Sequence, residues 1–113
     1  MRNRNYNLYR KLLNSDFWRA PESSSKRFIS NFAYPVIHPE RSKIVNALTA
    51  NDIAVRPLIC GSLEKQPFWK KDCTKVQLQN ADMIDTHGLY LPNNHQITES
   101  EIKYICDIIN EVI

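Results

Sequence analysis

The chain has 113 residues, 42% of them hydrophobic and 24% charged, the make-up of one soluble globular domain that buries about two thirds of its unfolded surface. Its net charge is only +3, with basic and acidic residues interspersed, so charge by itself does not point to nucleic acid. No apolar run is long enough to span a bilayer, and Met1-Arg2-Asn3-Arg4 leads into a polar, amphipathic stretch rather than the apolar segment of a secretory signal.

Residues 3–14 read as a helix with Tyr6, Tyr9, Leu12 and Leu13 near one face. The run PESSSKR, residues 21–27, is loop or linker by composition. Residues 31–37, NFAYPVI, form a strand in which Pro35 demands an edge position or a bulge. Pro39 suits the first turn of a second helix, whose buried stripe is Ile44, Val45 and Leu48 and whose end is Asn51-Asp52. Residues 53–58 return as a strand. A loop over 60–66 opens a short helix that ends near Trp69, followed by the exposed Lys70, Lys71 and Lys75. Asn80 is placed to cap a helix over 81–87, with Gly88 as its left-handed stop. Leu89-Tyr90-Leu91 is a third strand ended by Pro92. In the last helix Thr98 and Glu101 form a capping box, Ile97 staples onto Ile102, and Ile105, Cys106, Ile109 and Val112 continue the apolar stripe. This order of elements predicts a two-layer α/β (α+β) domain with a small sheet.

Chemistry is sparse. Two glycines leave no Gly-rich phosphate loop, and no nucleophile elbow or other catalytic motif is present. Cys60, Cys73 and Cys106 contain no C-x-x-C pair and leave one thiol over, which argues against a disulfide framework and fits a reducing, cytoplasmic setting. Cys60, Cys73, His87 and His95 match no zinc-finger or ribbon spacing, so no metal site is expected. Phe17, Trp18, Phe68 and Trp69 lack the interleaved arginines of a base-stacking surface and read as the rim of the core. Two polar constellations remain. Arg56-Pro57-Leu58, followed by Gly61-Ser62-Leu63 and Gln66-Pro67, offers an anion clamp of an arginine facing a turn. Pro92-Asn93-Asn94-His95 offers several hydrogen-bonding groups in one loop. The competing readings are an arginine paired with a surface carboxylate and asparagines that serve turn geometry.

At these loops the sequence resembles a known family. NFAYPVI, a helix, IAVRPLICGSLEKQPFW, then NADMIDTHGLYLPNN and TESEIKYICDIINEVI follow the order of the C-terminal small domain of the DegT/DnrJ/StrS family. These are PLP-dependent nucleotide-sugar aminotransferases and sugar 3-dehydrases, and the GSL-x-x-QP stretch looks more like the dehydrases. The opening RNRNYNLYRKLL and FWRAPESS are similar to the helix and linker by which that domain leaves the large one. The resemblance implies a small, mostly antiparallel sheet flanked by helices, as in fold-type-I PLP enzymes. It implies a linker helix over residues 1–20 and the small domain over 21–113. It implies a PLP-binding large domain that carries the cofactor's lysine, or the histidine that replaces it, outside this chain. The chain alone is then expected to bind no PLP and to hold no catalytic residue. As part of such an enzyme, a possible homodimer, it would act on a 4-keto-6-deoxy sugar nucleotide in surface-polysaccharide (lipopolysaccharide) or deoxysugar biosynthesis. Arg56, Ser62, Asn93, Asn94 and His95 would bind the nucleotide sugar or shape its site, with no membrane or nucleic-acid partner. The alternatives are a stand-alone binding or interaction domain derived from such an enzyme, and nucleic-acid binding through Arg2, Arg4, Arg10, Lys70, Lys71 and Lys75.

Overall fold

A computed structural model describes residues 1–58 and 61–113. Among them are five α-helices and three strands: α1 (Arg2–Leu12), β1 (Ala33–Ile37), α2 (Arg41–Ala50), β2 (Arg56–Pro57), α3 (Pro67–Asp72), α4 (Gln79–His87), β3 (Gly88–Pro92) and α5 (Glu99–Val112), with a 3-10 turn at Leu63–Lys65. The strands form an antiparallel sheet in the order β1-β3-β2. Pro35 therefore lies on an edge strand, where its missing N–H costs no ladder bond. The expected strand over 53–58 shrinks to Arg56–Pro57 on the opposite edge. Pro57 has no N–H to extend the ladder, and both residues are exposed.

Alternation along the strands sorts the sheet into two faces. Tyr34, Val36, Leu89 and Leu91 point to one side, into a core with Tyr6 and Tyr9 of α1, Ile44 and Leu48 of α2, and Ile102, Ile105, Cys106 and Ile109 of α5. The ring of Tyr34 stacks on Tyr9 at 4.9 Å and leans against Tyr6 at 5.2 Å. Each core phenol of α1 donates to a backbone carbonyl, Tyr9 to Pro92 (2.8 Å) and Tyr6 to Pro21 (2.7 Å), so rings can be buried without orphaning their hydroxyls. At the far end of α1, Asn110 of α5 donates to the Leu12 carbonyl (2.9 Å) and accepts from the Asn14 amide (3.0 Å). The first helix thus shares one core with the rest of the fold. The PESSSKR loop closes on itself through paired Ser24 and Arg27 backbone bonds.

Local signals set several boundaries. The Thr98 hydroxyl accepts from the Glu101 amide (3.3 Å) and the Glu101 carboxylate accepts from the Thr98 amide (2.7 Å), completing the expected capping box. Such a cap contributes about 1 kcal/mol. These bonds hold the Glu101 carboxyl below the usual carboxylate range. α2 begins two residues after Pro39 because residues 38–41 form a turn: the Arg41 amide donates to the His38 carbonyl and the Glu40 amide to His38 Nδ1, both at 3.1 Å. Asp52, in the left-handed region with φ 57°, ends the excursion after α2.

Two expectations at α4 are corrected. Asn80 lies inside the helix, Leu78 occupies the cap position, and no side chain caps this end. Gly88 is not a left-handed stop. Its φ is −86°, and it starts β3 directly. A glycine is needed there for space: an added Cβ would stand 2.2 Å from Leu58 Cδ1 and 2.4 Å from the Ile84 carbonyl oxygen.

Candidate functional site

The face of the sheet opposite the core carries Pro35, Tyr90 and Arg56 side by side, one from each strand. Phe32 extends this row, its ring 5.4 Å from that of Tyr90. Arg56 is exposed and has no ion pair among the described residues. A guanidinium on an aromatic-lined, open surface keeps its donors available for an anion.

Beyond the Gly88 end of β3 stands the second part of the expected clamp. Gly61 takes φ +79°, and a Cβ on it would meet Asp85 Oδ1 at 2.6 Å, so glycine serves both conformation and close approach here. Ser62 is buried, 3% exposed, and its hydroxyl has no partner among the described residues. Its carbonyl accepts from the Lys65 amide (3.2 Å) and from Gln66 Nε2 (3.5 Å). Lys65 reaches across to α4, 3.2 Å from Asp82 and 3.9 Å from Asp85. Arg41 of α2 donates to the Asp85 and Thr86 carbonyls (2.7 and 3.2 Å), satisfying the last turn of α4. The clamp's Cys60 lies outside the described residues.

Past the Pro92 end of β3, the asparagines are largely occupied by backbone. Asn93 is 1% exposed and its amide donates to the Arg2 and Asn31 carbonyls (3.2 and 2.9 Å), while its Oδ1 has no partner among the described residues. Asn94 Oδ1 accepts from the Gln96 and Ile97 amides (2.8 and 2.9 Å), an Asx turn that leads the chain into α5. Its carbonyl accepts from the buried Asn5 (3.2 Å). His95 is exposed and makes no hydrogen bond among the described residues. The structure therefore separates the predicted residues: Ser62 and Asn93–His95 lie at opposite ends of β3, a strand about 13 Å long at about 3.3 Å per residue. Arg56 sits between them, opposite Tyr90.

Sequence reasoning passed over a groove of about 560 Å³ beside α3, bordered by Lys65, Trp69, Lys70, Lys75, Glu64 and Val76. No motif marks it, because its residues converge only when α3 and the segment after it fold together. The basic residues considered for nucleic acid do not all stand free, since Arg4 pairs with Glu99 (3.5 Å) and Arg10 with Glu22 (3.2 Å). Among the described residues, no three His, Cys, Asp or Glu side chains are grouped to hold a metal ion, and no helix is long and apolar enough to cross a membrane.

The family model for the DegT/DnrJ/EryC1/StrS aminotransferase family matches residues 1–110. The chain belongs to this family. No curated protein is similar to it in sequence. A DegT/DnrJ/EryC1/StrS aminotransferase from Brucella abortus shares the fold with a TM-score of 0.82 at 20% identity, covering 97% of this chain and 30% of that one. A GDP-4-keto-6-deoxymannose-3-dehydratase with a trapped PLP–glutamate geminal diamine (TM-score 0.78, 21% identity) and the E. coli GDP-4-keto-6-deoxy-D-mannose-3-dehydratase with bound hydrated PLP (0.77, 22%) match over 96% of this chain and 30% of theirs. The DegT-family chain thus spans about 30% of the length of these relatives, with the same small antiparallel sheet and flanking helices.

The cofactor held by those two dehydratases can be tested against the residues present. A Schiff-base lysine sits in a closed, largely apolar pocket. All eight lysines of this chain are exposed, and Lys43 and Lys65 are tied to carboxylates. The described residues of this DegT-family chain do not fit PLP on their own, and no chemical step is assigned through it.

Proposed function

We propose that this chain is the C-terminal small domain of a PLP-dependent enzyme that modifies a 4-keto-6-deoxy sugar nucleotide, by amino transfer or 3-dehydration, in the cytoplasmic synthesis of surface polysaccharide or deoxysugars. The observation that carries this reading is the match to the family over residues 1–110 by a chain that covers only 30% of its solved relatives. In this reading residues 1–20 lead from a PLP-binding large domain, residues 21–113 form the small domain, and chemistry requires both. The exposed Phe28 and Phe32, 79% and 67% accessible, are large rings that a large domain packed on this side would cover. Sequencing the coding DNA upstream of Met1 tests it. An in-frame PLP-binding domain is expected, and a stop codon directly before a genuine start would overturn it.

Within that enzyme, Arg56 binds the charged part of the nucleotide sugar, His95 and the Asn93-Asn94 turn shape the approach, and buried Ser62 holds the 61–66 loop. In the full-length enzyme, Arg56→Ala should raise KM for the nucleotide sugar about tenfold, the worth of one charge-assisted contact, with a smaller effect on kcat. Steady-state kinetics check this, and unchanged KM and kcat would remove Arg56 from the site.

A further inference from the structure

From residue 63 to residue 87 the chain adds nothing to the core. No side chain there is buried, although Leu63, Phe68, Trp69, Val76, Leu78 and Ile84 all fall within it. Every residue from 70 to 80 is exposed, and within α3 only Trp69 is even partly covered. A six-residue helix is too short to be stable alone, and apolar side chains gathered on one exposed segment mark a contact surface. The charges on this arm are uneven. At its root Lys65 is spent on Asp82 and Asp85 of α4. Beyond the root, residues 67–78 carry Lys70, Lys71 and Lys75 against Asp72 alone, and none of the three lysines has an ion pair among the described residues. Lys70, Lys75, Trp69 and Val76 border one groove, with Glu64 as its single carboxylate, so ammonium groups and apolar side chains share one side of the arm.

We propose that residues 67–78 dock on the surface of a bilayer rich in anionic lipid, with Phe68, Trp69 and Val76 entering the headgroup boundary and Lys70, Lys71 and Lys75 lying among the phosphates. Charge complementarity selects an anionic surface, and the apolar side chains select lipid over nucleic acid, which has no place for Val76 or Leu78. Lysine stems lie along apolar surface while their heads reach the headgroups, and tryptophan settles at the same depth. Each ammonium near an anionic bilayer multiplies binding about fivefold, so three of them give a reversible, peripheral attachment. No helix among the described residues is long and apolar enough to cross a membrane, so the contact is with the surface alone. The contact uses residues of this chain only and is independent of the sugar-nucleotide reading.

Sedimentation of the 113-residue chain with vesicles tests it. The chain should bind vesicles of equal parts phosphatidylglycerol and phosphatidylcholine and stay in solution with pure phosphatidylcholine. Lys70→Gln/Lys71→Gln/Lys75→Gln should lower the partition coefficient by about tenfold or more, and Phe68→Ser by about tenfold. All four side chains are exposed, so these variants keep the fold. Lys11→Gln/Lys26→Gln/Lys103→Gln removes the same charge at exposed positions elsewhere and should change binding far less. In a Trp18→Phe background, which leaves Trp69 as the only tryptophan, emission should shift to the blue on the anionic vesicles and be quenched by brominated acyl chains. Failure to bind the anionic vesicles would overturn the proposal, as would binding untouched by Phe68→Ser. An equal loss in the two lysine triples would show that net charge alone is at work. Polyuridylate that displaces the chain from the vesicles at equal phosphate concentration would put nucleic acid in place of lipid; either result refutes the docking proposed.

Discussion

Raising the pH from 8 to 11 should unfold the domain or bring it close to unfolding. Three core groups drive this. Burial pushes the Cys106 thiol up to about 12, and burial likewise pushes the phenols of Tyr9 and Tyr34 far above the ordinary tyrosine range. All three are acids that are neutral when protonated, and the native state keeps them so. In the unfolded chain the thiol ionises near pH 9 and the phenols near pH 10. Above those values the unfolded state holds fewer protons than the native one, so stability falls as pH rises. The stabilisation is fully present below about pH 9, declines first through the thiol and then through the phenols, and by pH 11 the loss sums to about 5 kcal/mol. Small domains have about 5–15 kcal/mol in total. Urea unfolding at pH 8, 9, 10 and 11 measures the slope, and in a Tyr90→Phe/Tyr104→Phe background, which leaves only the buried tyrosines, tyrosinate absorbance should appear together with the loss of structure rather than before it. A midpoint that stays constant to pH 11, or phenols that titrate in the folded protein, would show that the Tyr9–Tyr34 stack is open to solvent.

The tyrosine core was only partly legible in the sequence. Tyr6 and Tyr9 fall on the apolar face of a short helix, so their burial follows from spacing. That both hydroxyls would find carbonyls, at Pro21 and Pro92, depends on chain segments 15 and 83 residues away. The same division runs through the fold. The capping box of α5 uses residues three apart and forms as the sequence predicts, and Pro35 lies on an edge strand because a missing N–H restricts any sheet in the same way. The strand around Arg56 shrank because ladder length depends on a partner, and only Tyr90 and Leu89 are opposite it.

The candidate site was legible in composition but not in availability. Asparagines at 93 and 94 read as spare hydrogen-bonding groups, yet the Asn93 amide holds the Arg2 and Asn31 carbonyls, and the Asn94 oxygen holds the Gln96 and Ile97 amides. The Asn93 bonds reach backbone 91 and 62 residues away and leave no local signal, whereas the Asn94 turn is local and is the competing reading that the sequence offered for these asparagines. The family resemblance places residues of both polar stretches at one nucleotide-sugar site, whereas β3 separates Ser62 from Asn93–His95 at its two ends.

Gly88→Ala should destabilise the domain by about 3 kcal/mol, well beyond the cost of an ordinary surface substitution. The backbone conformation is not the reason, since φ −86° suits any residue. The added methyl would lie 2.2 Å from Leu58 Cδ1 and 2.4 Å from the Ile84 carbonyl oxygen. Leu58 can swing aside, but the Ile84 oxygen belongs to the last turn of α4 and already accepts the Gly88 amide. Moving that turn strains the bonds from Arg41 to Asp85 and Thr86 and the bond from the His38 amide to the His87 carbonyl. Because Gly88 joins α4 directly to the central strand, the shift also disturbs the Gly88–Ile37 pairing at the start of the sheet. Denaturant unfolding of Gly88→Ala beside the parent measures the cost. Asp85→Ala in the Gly88→Ala background should not restore stability, since Asp85 crowds Gly61 rather than Gly88. Leu58→Ala in that background should recover only part of the loss, because it clears the side chain and leaves the carbonyl clash in place. Full recovery by Leu58→Ala would mean that α4 yields freely, and the close approach of helix and strand at Gly88 would then be a matter of side-chain packing alone.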